Sequence, residues 1–174
     1  MENRKEKILF TREAIQERVE ALGKILSEAY QDKDVVVVSL LRGSFIFAAD
    51  LVREMNIPLE IDFMTTASYG DGEATSGDVK ILQDIRSDIK GRDVLIVDDI
   101  IDSGLTMKKI REYLEEKEPR SLKSVVLLDK PSRRQVDLDV EYVGFEIPDV
   151  FIVGCGLNYK NHCRNIPYIY TYDD

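Results

Sequence analysis

The chemistry of this chain is concentrated in one stretch, VLIVDDIIDSGLTM, residues 94–107. An apolar run brings two adjacent carboxylates, Asp98 and Asp99, to its carboxyl end. A third, Asp102, follows, and Ser103, Gly104 and Thr106 then open a helix. Small residues at a helix start leave free backbone N–H groups open to an anion, and two hydroxyls beside them suit a phosphate monoester. Paired carboxylates one turn earlier are poor phosphate ligands but good partners for sugar hydroxyls or a magnesium ion. Phosphate and ribose together suggest a phosphorylated sugar. Two aspartates after a strand are by themselves an ordinary solvated strand end, and Ser-Gly an ordinary helix cap. It is the whole acid-acid-x-x-acid-small-Gly-x-Thr array, placed after an apolar strand, that points to a site.

The elements around this array read as α/β. Ile15, Val19, Leu22, Leu26 and Ala29 step by four and three residues, which predicts a helix from about Arg12 to Tyr30 with Thr11 as its cap. VVVVSLL at 35–41 is β-branched, short and uniformly apolar, as a parallel strand buried on both faces would be. After Arg42-Gly43-Ser44, FIFAADLVREM at 45–55 resumes helical spacing until Asn56 and Pro58 stop it. Strands are expected at 59–68, 79–82, 94–97 and 124–129, and a helix from about Leu105 to Lys117, closed off by Pro119. Between the first two of these strands, YGDGEATSGD is polar and punctuated by glycines, the composition of a mobile loop. Alternating strands and helices predict a largely parallel sheet flanked by helices, with ligands at the carboxyl ends of its strands. The last 45 residues hold short strand-like runs, VEYVGFEI, VFIVG and PYIY, with no long helix. They are expected to form a small appended subdomain.

With 174 residues and 19.9 kDa, one domain is the expectation. Thirty-three acidic against 24 basic residues give a net charge of −9, His162 counted neutral. That balance argues against nucleic acid or an anionic membrane as partner, since both need basic surface. The longest apolar run, Val35 to Leu41, is far short of the roughly 20 residues a bilayer requires. MENRKEKILF has no apolar core and is not a secretory signal, so the expected location is the cytoplasm. Cys155 and Cys163 read as free thiols, and no zinc-ligand spacing occurs.

VLIVDDIIDSGLTM resembles the phosphoribosyl-pyrophosphate signature of type I phosphoribosyltransferases, and the resemblance runs along essentially the whole chain. SLLRGSFIFAADL at 39–51, SYGDGEATSGDVK at 68–80, LLDKPSRR at 127–134 and VGFEIPDVFIVGCGLNY at 143–159 select the hypoxanthine-guanine branch. The resemblance implies the type I phosphoribosyltransferase fold in one domain over 1–174, with a core at about 35–130 and a small hood from 1–10 and 131–174. It implies transfer of a phosphoribosyl group to a 6-oxopurine with magnesium as cofactor, in a homodimer or homotetramer.

Carried over by position, Asp98 and Asp99 would hold the ribose hydroxyls and, partly through substrate, magnesium. Asp102, Ser103, Gly104, Leu105 and Thr106 would wrap the 5′-phosphate, and Asp102 would also act as general acid/base near purine N7. Lys130 would donate to the exocyclic O6, Phe151 would stack on the base, and the backbone of Ile152 and the stretch around Asn158 would meet the base edge. Leu41, Arg42, Gly43 and Arg164 would meet pyrophosphate, with a cis peptide between Leu41 and Arg42. Ser68 and Tyr69 would head a lid that excludes water from the reacting centre. One position departs from the family: GLDY reads GLNY here, and Asn158 brings no negative charge to the water-mediated metal contact its aspartate makes. The second magnesium site is therefore expected to be weaker.

Two other functions share parts of this pattern. A phosphoribosyl-pyrophosphate-sensing regulator of the same fold would be expected to carry a basic face or an added nucleic-acid-binding segment. An aspartate-based phosphohydrolase needs its acids in a DxD arrangement, which Asp98-Asp99 does not supply.

Overall fold

The computed structural model describes residues 4–68 and 79–173. In chain order the elements are β1 (Glu6–Phe10), α1 (Arg12–Ala29), β2 (Val35–Leu41), α2 (Phe45–Arg53), β3 (Leu59–Ser68), β4 (Val79–Gln83), β5 (Asp93–Ile101), α3 (Leu105–Glu115), β6 (Ser121–Asp129), a 3-10 turn at Pro131–Arg133, β7 (Tyr142–Glu146) and β8 (Ile169–Tyr172). Six strands form one sheet in the order β4-β3-β2-β5-β6-β7. All neighbours in it are parallel except β4, which runs antiparallel to β3.

The uniform apolarity of the central strands has a direct cause. Successive side chains of a strand point to opposite faces. Val35 and Val37 of β2 and Leu95 and Val97 of β5 therefore pack with Ile15, Leu22, Leu26, Phe47 and Leu51 of α1 and α2. Val36, Val38, Val94 and Ile96 pack on the other face with Met107, Ile110 and Leu114 of α3. Each strand feeds two cores, so neither face can be polar. Thr11 caps α1 as expected, its hydroxyl accepting from Ala14 N at 3.1 Å.

The last quarter of the chain differs from expectation. Tyr142–Glu146 does not belong to a hood: β7 is the sixth strand of the main sheet, parallel to β6. Phe145 packs with the α1/α2 core and Val143 with the α3 core. Its outer edge is covered by Arg18 of α1, whose guanidinium donates to Val143 O and Gly144 O at 2.8 Å each. Such cover protects an edge that would otherwise offer unpaired backbone groups. With no helix after it, the strand cannot be told from irregular chain by pattern alone. PYIY does give a strand, β8, which pairs antiparallel with β1 outside the main sheet. VFIVG does not: Val153 makes an isolated bridge to Tyr170, and Gly154 then turns away at φ +104°. No helix among the described residues is long and apolar enough to cross a membrane.

Candidate active site

Strand β5 continues past the expected 94–97 to Ile101, so Asp98 and Asp99 sit near its end and project to opposite faces. Asp98 faces α3. With Ile100, Ile101, Asp102, Ser103, Gly104, Thr106 and Met107 it lines a cavity of about 120 Å³ at the start of that helix. Gly104 is the residue before α3 and has φ +81°, a conformation glycine adopts at no steric cost. A Cβ there would also come within 2.9 Å of Val136 Cγ2 and 3.0 Å of Arg134 Cδ. The Ser103 hydroxyl accepts from Leu105 N at 3.3 Å, and Asp102 Oδ1 accepts from Ser103 N at 2.7 Å. The array thus forms a small concave site rimmed by helix-start amides, two hydroxyls and two carboxylates.

Asp99 points the other way, beneath Gly43 of the 41–43 loop. A Cβ on Gly43 would overlap Asp99 Oδ2, so this position has room only for hydrogen. Burial and the neighbouring Asp99 charge push the Asp98 carboxyl well above the usual range. Asp99 is raised by burial too, against the opposing effect of hydrogen bonds from Asp98 and Ile100 N and of the Arg164 charge. Neighbouring aspartates of which one is half-buried and the other buried resist losing both protons, a state that a cation or hydroxyl donors would relieve.

The 41–43 loop carries the expected cis peptide between Leu41 and Arg42. Behind it, the buried hydroxyls of Ser39 and Ser44 lie 2.7 Å apart, and Ser44 Oγ also donates to Leu40 O. Arg42 is exposed, whereas Arg164 is half-buried and donates through Nη1 to Gly156 O at 2.7 Å. A larger cavity, about 370 Å³ and lined in part by Arg12, Asp50, Cys155 and Arg164, holds none of the acid array. Size therefore does not make it the site. Cys155 and Cys163 are free, and burial pushes the Cys155 thiol up to about 12, leaving it protonated and inert.

On the side expected to take the base, Lys130 follows β6 directly, and its N–H donates to Ile101 O at 2.9 Å. Residue 130 is thereby held beside the end of β5. An aromatic in an apolar run is more often core than platform, but Phe151 is 55% exposed and makes an edge-to-face contact with Tyr159, with ring centroids 5.8 Å apart. Ile152 is buried and Asn158 half-buried. Tyr69, the side chain of Ser68 and the rest of the loop to Asp78 lie outside the described residues.

Sequence reasoning misses Gly156. It has φ +97°, and a Cβ would collide with Gly43 O. The C-terminal segment thus rests its backbone on the 41–43 loop, which rests on Asp99. The Gly-x-Gly spacing of VGCG is the available signal. Also missed is Arg134, whose guanidinium reaches Asp102 O.

Known proteins are similar to this chain in sequence and in fold. Residues 7–160 match the phosphoribosyl transferase domain family. The hypoxanthine phosphoribosyltransferase of Salmonella typhimurium is 55% identical over 157 residues, 89% of this chain and 88% of that protein. The hypoxanthine-guanine phosphoribosyltransferase of Bacillus subtilis is 46% identical over 94% of this chain and 91% of its own length. A crystal structure of the Staphylococcus aureus hypoxanthine phosphoribosyltransferase superposes with a TM-score of 0.93 at 44% identity, covering 96% of this chain and 91% of that one. Matches of this extent, on a fold with the acid array at the carboxyl ends of its parallel strands, mean that the chain belongs to the hypoxanthine-guanine branch of the phosphoribosyltransferase family.

Proposed function

We propose that the chain is a purine salvage enzyme that transfers the 5-phosphoribosyl group from phosphoribosyl pyrophosphate to hypoxanthine or guanine, giving IMP or GMP and pyrophosphate. The observation that carries this reading is the 120 Å³ cavity in which helix-start amides, hydroxyls and the Asp98 and Asp102 carboxylates converge. The relatives' names supply the purine. In this reading Asp102 to Thr106 hold the 5′-phosphate by backbone and hydroxyl donors, and Asp98 and Asp99 accept from the ribose hydroxyls. Purine N9 attacks C1′, and the bond from C1′ to the pyrophosphate oxygen breaks with its electron pair on the leaving group. The proton on N7 passes to the Asp102 carboxylate. Lys130 donates to O6, and Phe151 offers a face to the base. Arg42, Arg164 and the 41–43 backbone meet the departing charge, where interactions that strengthen as the bond breaks are the ones that accelerate reaction.

The donor set fits magnesium. Asp98 and Asp99 are hard oxygen ligands whose proton affinity is raised chiefly by burial, and for Asp98 also by the Asp99 charge. Among the described residues no cluster of three or more acidic, histidine or cysteine side chains could hold a metal by itself, which supports an ion carried in with the substrate. When bound, magnesium would neutralise charge on the pyrophosphate group. Asn158 offers only a neutral amide at the water-mediated position. Asn158→Asp is therefore expected to move the magnesium titration of the initial rate to lower concentration, and an unchanged titration would remove this role for position 158.

The cytoplasm is the proposed location and a homodimer or homotetramer the proposed assembly. Phe45, Ile61 and Phe63, apolar and 38–42% exposed, support self-association. The deciding experiment supplies phosphoribosyl pyrophosphate, magnesium and one of hypoxanthine, guanine, xanthine or adenine, and follows nucleotide formation. Turnover with the first two and not with adenine is expected. No turnover with any purine would overturn the enzyme and favour the regulator of the same fold.

A further inference from the structure

Two of the proposed contacts to the base come from different strands, and one side chain ties those strands together. Arg134 Nη1 donates to the main-chain oxygen of Asp102 at 2.8 Å, and its Nη2 donates to Asp129 Oδ1 at 2.8 Å. The ion pair is only 17% and 14% exposed, so it is shielded from water and not a surface contact weakened by screening. The next residue repeats the link: Gln135 N donates to Ser103 O at 2.9 Å. From the other direction, Lys130 N donates to Ile101 O and Ile147 N to Asp129 O. Asp129 is therefore fixed beside Lys130, and Arg134 fixes Asp129 to Asp102.

We propose that Arg134 is a positioning residue that sets the separation between Asp102 and Lys130, and with it the register in which a 6-oxopurine is read. The inference rests on the function proposed above. N7 and O6 lie on the same edge of such a purine, so the groups meeting them must keep one spacing to engage both at once. A planar guanidinium bonding two acceptors in fixed directions can hold that spacing, whereas a lysine ammonium is a single flexible point charge. Displacements near 1 Å from a productive geometry can cost on the order of 100-fold in rate.

The test compares the full-length wild type with R134K, R134A and D129N. R133A serves as a control, since Arg133 pairs with Asp149 at the surface, both about half exposed. The measurements are kcat, the KM for hypoxanthine and for guanine, the Kd for phosphoribosyl pyrophosphate by calorimetry, and the melting temperature. R134K and R134A are expected to lower kcat about 10- to 100-fold and to raise purine KM. D129N, which keeps an acceptor, should fall between them and wild type, and R133A should match wild type. Hypoxanthine and guanine share N7 and O6, so loss of register predicts that their kcat/KM values fall together while the Kd for phosphoribosyl pyrophosphate holds, a split that a general loosening of the fold would not cause. Unchanged kcat and purine KM in R134K would overturn the inference. So would parallel losses of phosphoribosyl pyrophosphate affinity and rate with purine KM unchanged, since Arg134 would then only brace the phosphate loop. If R134A does not fold, R134K and D129N carry the same comparison. Wild-type turnover with unaffected variants defeats this inference alone; absence of wild-type turnover defeats the proposed function and this inference with it.

Discussion

Asp102→Asn is expected to lower kcat for nucleotide formation by roughly 10²–10⁴-fold, the range typical of a positioned acid/base group, while binding of phosphoribosyl pyrophosphate stays close to wild type. The asymmetry follows from how the residue is held. Asp102 Oδ1 accepts from Ser103 N, and an asparagine oxygen can take the same hydrogen bond. The main-chain oxygen of residue 102 keeps the Arg134 guanidinium. Amides and hydroxyls of residues 103–106 therefore stay where they are, and the phosphate loses no donor. What disappears is the group able to receive the purine proton. Because the side chain is exposed, the melting temperature should not change. Initial rates and calorimetric titration with phosphoribosyl pyrophosphate decide the matter. Equal losses in both would make Asp102 a binding group and leave the proton without a described acceptor.

Much of this architecture is legible in the amino-acid sequence. The β2 and β5 runs read as buried strands because each supplies two cores, and α1 reads as a helix because its apolar positions recur on one face. The acid array is legible because phosphate and ribose impose residue types on consecutive positions of a strand and a helix start. Less accessible are features made by contact between distant segments. β7 resembles a tail because membership of a sheet depends on the neighbouring strand, and five residues carry too little pattern to show it. Arg134 resembles any of several surface charges, since nothing local shows that its guanidinium reaches back 32 residues to Asp102 O. Phe151 reads as a platform only through family resemblance; its exposure comes from the irregular chain around Gly154, which the periodicity of VFIVG conceals. Local rules reveal elements and motifs, while the braces between them are three-dimensional.

Gly156 is the brace whose removal should be felt most strongly by the whole molecule. Its φ of +97° is strained for any side chain, and a Cβ would collide with Gly43 O and lie 3.8 Å from Ile46 Cβ. Gly156→Ala therefore combines a backbone penalty of roughly 1–3 kcal/mol with overpacking of about 1–3 kcal/mol. At about 2–4 °C per kcal/mol for a domain of this size, the melting temperature should fall by something on the order of 5–20 °C. Gly91→Ala separates the two contributions, because Gly91 shares a positive φ of +70° but has nothing within 4 Å of its would-be Cβ. It should lose only the backbone part. The clash also has a direction. Gly43 is pressed between Gly156 on one side and the Asp99 carboxylate on the other, so relief at Gly43 O pushes the 41–43 backbone toward Asp99. Below its melting temperature, Gly156→Ala should accordingly bind pyrophosphate more weakly than Gly91→Ala does. Equal melting temperatures for the two variants would show that the loop yields freely, and that Arg164, which donates to Gly156 O, holds the C-terminal segment without help from this contact.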